Sequence, residues 1–153
     1  RSKRIDKKDI DASNEQLLDS LNLLENNHLK RAAILLFHHN PEKWIPGAYI
    51  KIGYFESDSE LRYQDEIHGS LISQADKVVD LIFTKYLKAD ISYQGVTRVE
   101  TYPFPKEAIR EAVFNAIAHK FYGALIPIQI SVYAIGFILR MIVFSQKIGQ
   151  SMI

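Results

Sequence analysis

A carboxylate, a carboxamide and an imidazole follow one another at four-residue intervals in "EAVFNAIAHKFY", as Glu111, Asn115 and His119. On a helix, positions four apart are displaced by only about forty degrees, so one face can present all three groups. Such a ridge suits a magnesium-nucleotide. A carboxylate can take the proton of an attacking water, while a carboxamide oxygen offers Mg2+ a neutral hard ligand. It also suits the wetted side of an ordinary helix. Glu111 and Asn115 are therefore candidate site residues. His119 is a further candidate nucleotide-site residue, with a hydrogen-bonded helix-end histidine as the alternative.

The helix that must carry this ridge has its own signals. Pro105 suits a first turn, Glu107 lies near the positive end, and Ala108, Ile109, Ala112, Val113, Ala116 and Ile117 make a continuous apolar stripe. A second helix is predicted from "SLISQADKVVDLIFTKYLK", where Leu71, Ile72, Ala75, Val78, Val79, Ile82 and Tyr86 repeat at the helical period. The two helices are expected over 70–87 and 106–120.

Strands are expected elsewhere. "AYIKIGYF" alternates, with Ala48, Ile50, Ile52 and Tyr54 on one face, and pairs as a hairpin with "LRYQDEIHG" across a polar loop. "ADISYQGVTRVETY" reads as two short strands around Gly95. "NEQLLDSLNLLENN" places Leu17, Leu18, Leu21, Leu23 and Leu24 near one side of a short helix stopped by Asn26 and Asn27. The apolar run 32–37 is read as a buried strand, with a helix as its rival.

"GALIPIQISVYAIGFILRMIVF" has the length of a membrane span, yet Ile126, Ile128, Ile130 and Val132 alternate with Pro127, Gln129 and Ser131, and Gly136 offers a turn. A strand pair is predicted, and no membrane partner. The fold class that follows is α+β (mixed α/β), with a mixed or antiparallel sheet covered by two main helices. Residues 1–12 read as a solvated linker and 13–153 as a single domain.

Composition narrows the chemistry. The 153 residues, of which 47% are hydrophobic and 24% charged, suffice for one globular core. A net charge of +1 argues against a dedicated nucleic-acid-coating surface, leaving Arg1, Lys3, Arg4, Lys7 and Lys8 as a local basic patch for salt-labile contact. With no cysteine there is no disulfide, thiol nucleophile or cysteine zinc site, which is compatible with a reducing cytosol. Among five histidines, His38 and His39 are adjacent, and no pair has zinc-ligand spacing on a helix. The chain begins at Arg1 and has only Met141 and Met152, so a piece of a longer protein is expected. The apolar segment after Ala134 favours self-association if left uncovered.

Taken in order, "LKRAAILLF", "NPEKWIPGAYIKIGYF", "YQDEIHGSL", "RVETYPFPKEAIREAVFNAIAHKFY" and "IPIQISVY" resemble a bacterial family. These are transcriptional regulators with a Schlafen-type AlbA domain, commonly labelled ATP-dependent DNA helicase RecG-related. The resemblance runs from about Gln16 to Tyr133. It implies DNA-binding domains outside this chain and, over about 100–153, the start of a region similar to GHKL ATPases, whose first nucleotide motif is a helix with Glu-x-x-x-Asn. On that resemblance Glu111 falls on the water-orienting base and Asn115 on the magnesium ligand, with ATP and Mg2+ as cofactors that folding does not require. The sequence departs from the pattern at Phe121, where the family has an acidic residue, and lacks an Asp-x-Gly-x-Gly adenine box.

No Gly-x-x-x-x-Gly-Lys-Ser/Thr loop is present, so a translocating motor is not expected in this segment. The expected function is a regulatory or assembly domain of a cytoplasmic RecG-related, transcriptional-regulator-type protein, reaching DNA through other domains. The alternative is a GHKL-like ATP-binding or ATP-hydrolysing module.

Overall fold

A computed structural model describes residues 13–133 and, for the backbone, 136–140. The expected linker over 1–12, its basic residues, and the apolar segment after Arg140 lie outside the described residues. The fold is α+β.

Helix α1 (Asn14–Ser20) opens with a capping box, in which Ser13 and Gln16 satisfy each other's backbone N–H groups. It ends earlier than the leucine pattern predicts. Leu23 turns into the core, and Leu24 enters the two-residue strand β1 (Leu24–Glu25), which pairs with β2 (His28–Leu29). Asn26 and Asn27, expected as a helix stop, instead form the turn between them with φ of 48° and 63°. Asparagine tolerates that left-handed region, and two such residues match the twist of a tight hairpin.

The run expected as a strand over 32–37 is helix α2 (Arg31–Phe37). Apolar character alone cannot separate the two states over so short a span. Ala32, Ala33, Leu35 and Leu36 are strong helix formers and Ile34 is the one β-branched residue, so local preference and the burial of Ala33 and Leu35 favour the helix. A single 3-10 turn, Pro41–Lys43, follows.

Strands β3 (Ile50–Ser57) and β4 (Glu60–Ile67) form the expected antiparallel hairpin. Helix α3 (Leu71–Leu81) is capped by the Ser70 hydroxyl, which accepts from the Ser73 N–H, and it continues as a π-helical turn, Ile82–Tyr86. The Leu87 N–H donates to the Ile82 carbonyl at 2.8 Å. Ile82 and Tyr86, at the two ends of that turn, are both buried. The 70–87 prediction is therefore right in extent, although Ile72, placed on its apolar stripe, is exposed.

Strands β5 (Asp90–Gln94) and β6 (Thr97–Thr101) pair with each other on either side of Gly95 and, among the described residues, with no other strand. Helix α4 (Lys106–His119) buries Ile109, Val113, Ala116 and Ile117, while Ala108 is exposed; Pro105 stands at the N-cap rather than inside the first turn. Strand β7 (Ile128–Tyr133) then pairs in parallel with β3 and antiparallel with β8 (Gly136–Arg140), giving a mixed sheet of order β4-β3-β7-β8.

Residues in register across a sheet share a face. Ile50 aligns with both Ile67 and Ile128, Ile52 with Ile130, and Tyr54 with Val132. Together with Val78, Val79 and Ile82 of the α3 segment and Ile109, Val113 and Ala116 of α4, they form the main core. Ile126 is exposed and precedes the strand, so the predicted alternation begins at Ile128. Gly47 permits the loop entering β3 to cross the segment entering β7: a Cβ there would lie 2.8 Å from the Ala124 carbonyl oxygen and 2.9 Å from the Leu125 carbonyl carbon. Among the described residues no helix is long and apolar enough to cross a membrane.

Ile130 is 2% exposed, whereas Gln129 is exposed on the opposite face. Ile130→Ala should therefore destabilise the chain by roughly 2–5 kcal/mol, through lost burial and a residual cavity. Gln129→Ala should cost no more than about 0.5 kcal/mol. Urea denaturation of both variants measures the difference, and the reverse ranking would invert the assigned faces.

Candidate functional site

Helix α4 buries one side against the sheet and α3, so its polar ridge must stand on the other. Glu111, Asn115 and His119 are all exposed there, and none hydrogen-bonds or ion-pairs with another described side chain. On the flank nearer α3, Arg110 pairs with Asp76 at 3.0 Å and Lys106 with Asp80 at 3.3 Å, while the Arg110 guanidinium lies 4.9 Å from the Phe114 ring centre. Burial of Ile109, Val113, Ala116 and Ile117 fixes how α4 is turned about its axis, and these exposed pairs lie along its edge. The structure thus places the three candidate residues on one face, as their spacing predicts, and among the described residues no second element hydrogen-bonds or ion-pairs with them.

Two polar clusters went unrecognised in the sequence. In the first, His68 Nδ1 lies 2.8 Å from Glu42 Oε1, its Nε2 lies 3.5 Å from Glu66 Oε2, and Lys51 pairs with Glu66 at 2.8 Å. The Tyr49 ring stacks on the imidazole at 5.3 Å. Glu66 and His68 also line a cleft of about 530 Å³ with Lys77, Asp80 and Thr84. Such a lining offers both donors and acceptors to a polar ligand, beside an imidazole oriented by carboxylates. Lys51 holds Glu66 below the usual carboxylate range, first through their hydrogen bond.

The second cluster centres on Asp65, which aligns with Ile52 and therefore occupies a core-facing position of β4. Lys85 Nζ and the Tyr86 hydroxyl each donate to Asp65 Oδ2 at 2.6 Å, and the same hydroxyl lies 3.0 Å from the Ile52 carbonyl oxygen. The hydrogen bonds from Lys85 and Tyr86 hold the Asp65 carboxyl below its ordinary range. Burial, reinforced by the Asp65 charge, pushes the Tyr86 phenol far up. The helical period places Tyr86 only on an apolar stripe. The carboxylate that its hydroxyl meets is 21 positions away, beyond the reach of helical periodicity.

The fold and these sites define an α+β protein with a mixed sheet, a helix layer on one face and polar clusters around its margin. Neither a family model nor a curated protein matches the sequence. Among solved structures, the chain is similar in fold to the DIP2311 protein from Corynebacterium diphtheriae, a crystal structure, at 20% identity and a TM-score of 0.56. The likeness covers 80% of this chain and 24% of that one, so the chain spans a minor part of that protein's length.

Because folding lowers the Asp65 pKa, its stabilising effect is present above the unfolded carboxyl value of about 3.9 and is lost as pH falls through the folded value. Asp65→Asn should cost about 1–3 kcal/mol at neutral pH, since hydrogen bonds to a charged acceptor are weakened. The gap from the parent chain should narrow as pH falls below about 4. Denaturation midpoints across pH 2–7 provide the check, and a gap independent of pH would remove the carboxylate from the argument.

Proposed function

We propose that this chain is a regulatory or assembly region of a RecG-related, transcriptional-regulator-type cytoplasmic protein, acting with DNA-binding domains outside this chain. The sequence resemblance described above supplies the family. The observation that carries the assembly role is the β5–β6 hairpin. Its strands have no other sheet partner among the described residues, and Ile91 is 53% and Tyr93 70% exposed. A two-stranded hairpin is marginally stable alone in water, and backbone edges flanked by apolar side chains favour strand addition.

If the hairpin is an assembly surface, the double variant Ile91→Lys, Tyr93→Lys should melt within about 2 °C of the parent, because exposed positions contribute little to stability. It should also lower the sedimentation-equilibrium average mass of the 153-residue chain towards the monomer. An unchanged mass at equal concentration would refute the assembly role.

A second reading, a GHKL-like ATP-binding or ATP-hydrolysing module, is supported by one arrangement: Glu111 and Asn115 are open to solvent on one face of α4. In it, Asn115 would hold Mg2+ with nucleotide, His119 would line the site, and Glu111 would take the proton of attacking water. Titration of Mg-ATP into the labelled chain should leave the backbone amide resonances of α4 unmoved if the assembly reading is right. Saturable shifts there, together with ATP turnover abolished by Glu111→Gln in a folded variant, would replace it with the nucleotide reading.

A further inference from the structure

The β5–β6 ladder has one outer edge on each strand, and the two edges differ chemically. The two-residue turn of Gly95 and Val96, with Gly95 at a φ of 62°, makes Gln94 and Thr97 the hydrogen-bonded closing pair. Hydrogen-bonded and non-hydrogen-bonded pairs alternate from there, so Val99 bonds back to Ser92, while Arg98 and Glu100 turn their N–H and C=O groups outward from β6. Among the described residues no other strand takes them.

The residue order of β6, Thr97, Arg98, Val99, Glu100 and Thr101, is self-complementary about Val99. An antiparallel pairing with a second β6, on a two-fold axis at Val99, sets Arg98 opposite Glu100 of the second copy and Glu100 opposite its Arg98. Threonine then faces threonine at both ends. The opposed charged positions are those whose backbone groups point outward, so each such pair exchanges both ladder hydrogen bonds. Arg98 and Glu100 already pair along their own strand at 2.6 Å, with both side chains exposed. The two-fold arrangement closes them with their copies into a ring of four alternating charges. Opposite charges directly across strands are favourable and like charges are not, so moving the axis to Arg98 or to Glu100 would set like against like. The β5 edge has Ile91 and Tyr93 at its outward-facing positions, which select no register by charge.

We propose that β6 is the seam of a two-fold homodimer, in which two β5–β6 hairpins join as one four-stranded antiparallel sheet of order β5-β6-β6-β5. The seam supplies the partner for the assembly role proposed above, on which it rests. A second copy also relieves the marginal stability of a two-stranded ribbon.

The test is a charge exchange, read by sedimentation equilibrium over a concentration series of the 153-residue chain. Arg98→Glu places four carboxylates in the ring and Glu100→Arg places four guanidinium groups there, so each variant alone should dissociate at least about tenfold more readily than the parent. Both positions are exposed, so the circular dichroism spectrum should not change. Mixed in equal amounts, the two variants restore opposite charges across the seam and should reassociate to the parent's mass. Register is read separately, because the chain has no cysteine and Val99→Cys puts a single thiol at the axis. Non-hydrogen-bonded neighbours have Cα atoms about 4.5 Å apart, within disulfide range, so oxidised glutathione should convert this variant to a covalent dimer. Val96→Cys is more exposed but would lie roughly 20 Å from its copy along the seam, and it should cross-link more slowly. The proposal is overturned if the charge variants keep the parent's mass, if their mixture stays dissociated, or if Val96→Cys cross-links the faster. Charge variants that keep the parent's mass while Ile91→Lys, Tyr93→Lys lowers it would remove this seam and leave the hairpin's assembly role standing; a parent chain that is monomeric throughout removes both.

Discussion

The parallel pairing of β3 with β7 is the constraint on which the rest of the structure depends. It joins strands far apart in sequence, with Ile50 beside Ile128 and Ile52 beside Ile130 at the centre of the sheet. Parallel neighbours cannot be joined by a tight turn, so the intervening chain must cross over one face of the sheet. That crossover contains α3 and α4, and the isoleucines at the pairing seam supply the apolar surface that both helices cover. The close approach of Gly47 to 124–126 lets the two strands start level. A side chain there would meet backbone, which cannot move aside as a flexible side chain can.

Once α4 is seated, its outward face is decided. Ile109, Val113, Ala116 and Ile117 point into the core, which leaves Glu111, Asn115 and His119 to water. Exposed charges act through high-dielectric solvent, and chemistry on them requires a second surface that excludes water and fixes a substrate. The β5–β6 hairpin is open in a different sense: it carries exposed Ile91, Tyr93 and Val96, and its ladder has no further strand partner among the described residues.

Polar groups near the core are held by specific geometry rather than by sequence proximity. Lys85 and Tyr86 favour the charged form of Asp65 on the core-facing side of β4, and the π-helical turn presents both donors to one carboxylate oxygen. Gln74, fully buried in α3, donates to the carbonyls of Ala48 and Gly69 at 2.7 and 2.6 Å, tying the helix to the entry of β3 and the end of β4. Lys120 has a ring and a helix end where Asp65 has two donors. That contrast separates a carboxylate held by two donors from a buried ammonium with no carboxylate partner among the described residues.

The sequence by itself determined the elements whose local signals are clear: α3 and α4 by the helical repeat, the β3–β4 hairpin by alternation across a polar loop, the two short strands β5 and β6 by β-branched and aromatic residues around Gly95, and the buried face of β7 by Ile128, Ile130 and Val132. It also determined that Glu111, Asn115 and His119 would share a face, because helical geometry alone requires it. These are local properties, carried by residues a few positions apart. Tertiary structure alone decided that 31–37 is a helix, since a short apolar run satisfies either state until its burial partners are known. It alone brought Glu42 to His68 and Asp65 to Tyr86, and packed α2 and α4 against α3. Such contacts depend on which strands pair and in what register, and that choice is made by the summed burial of the whole core rather than by any segment's own pattern.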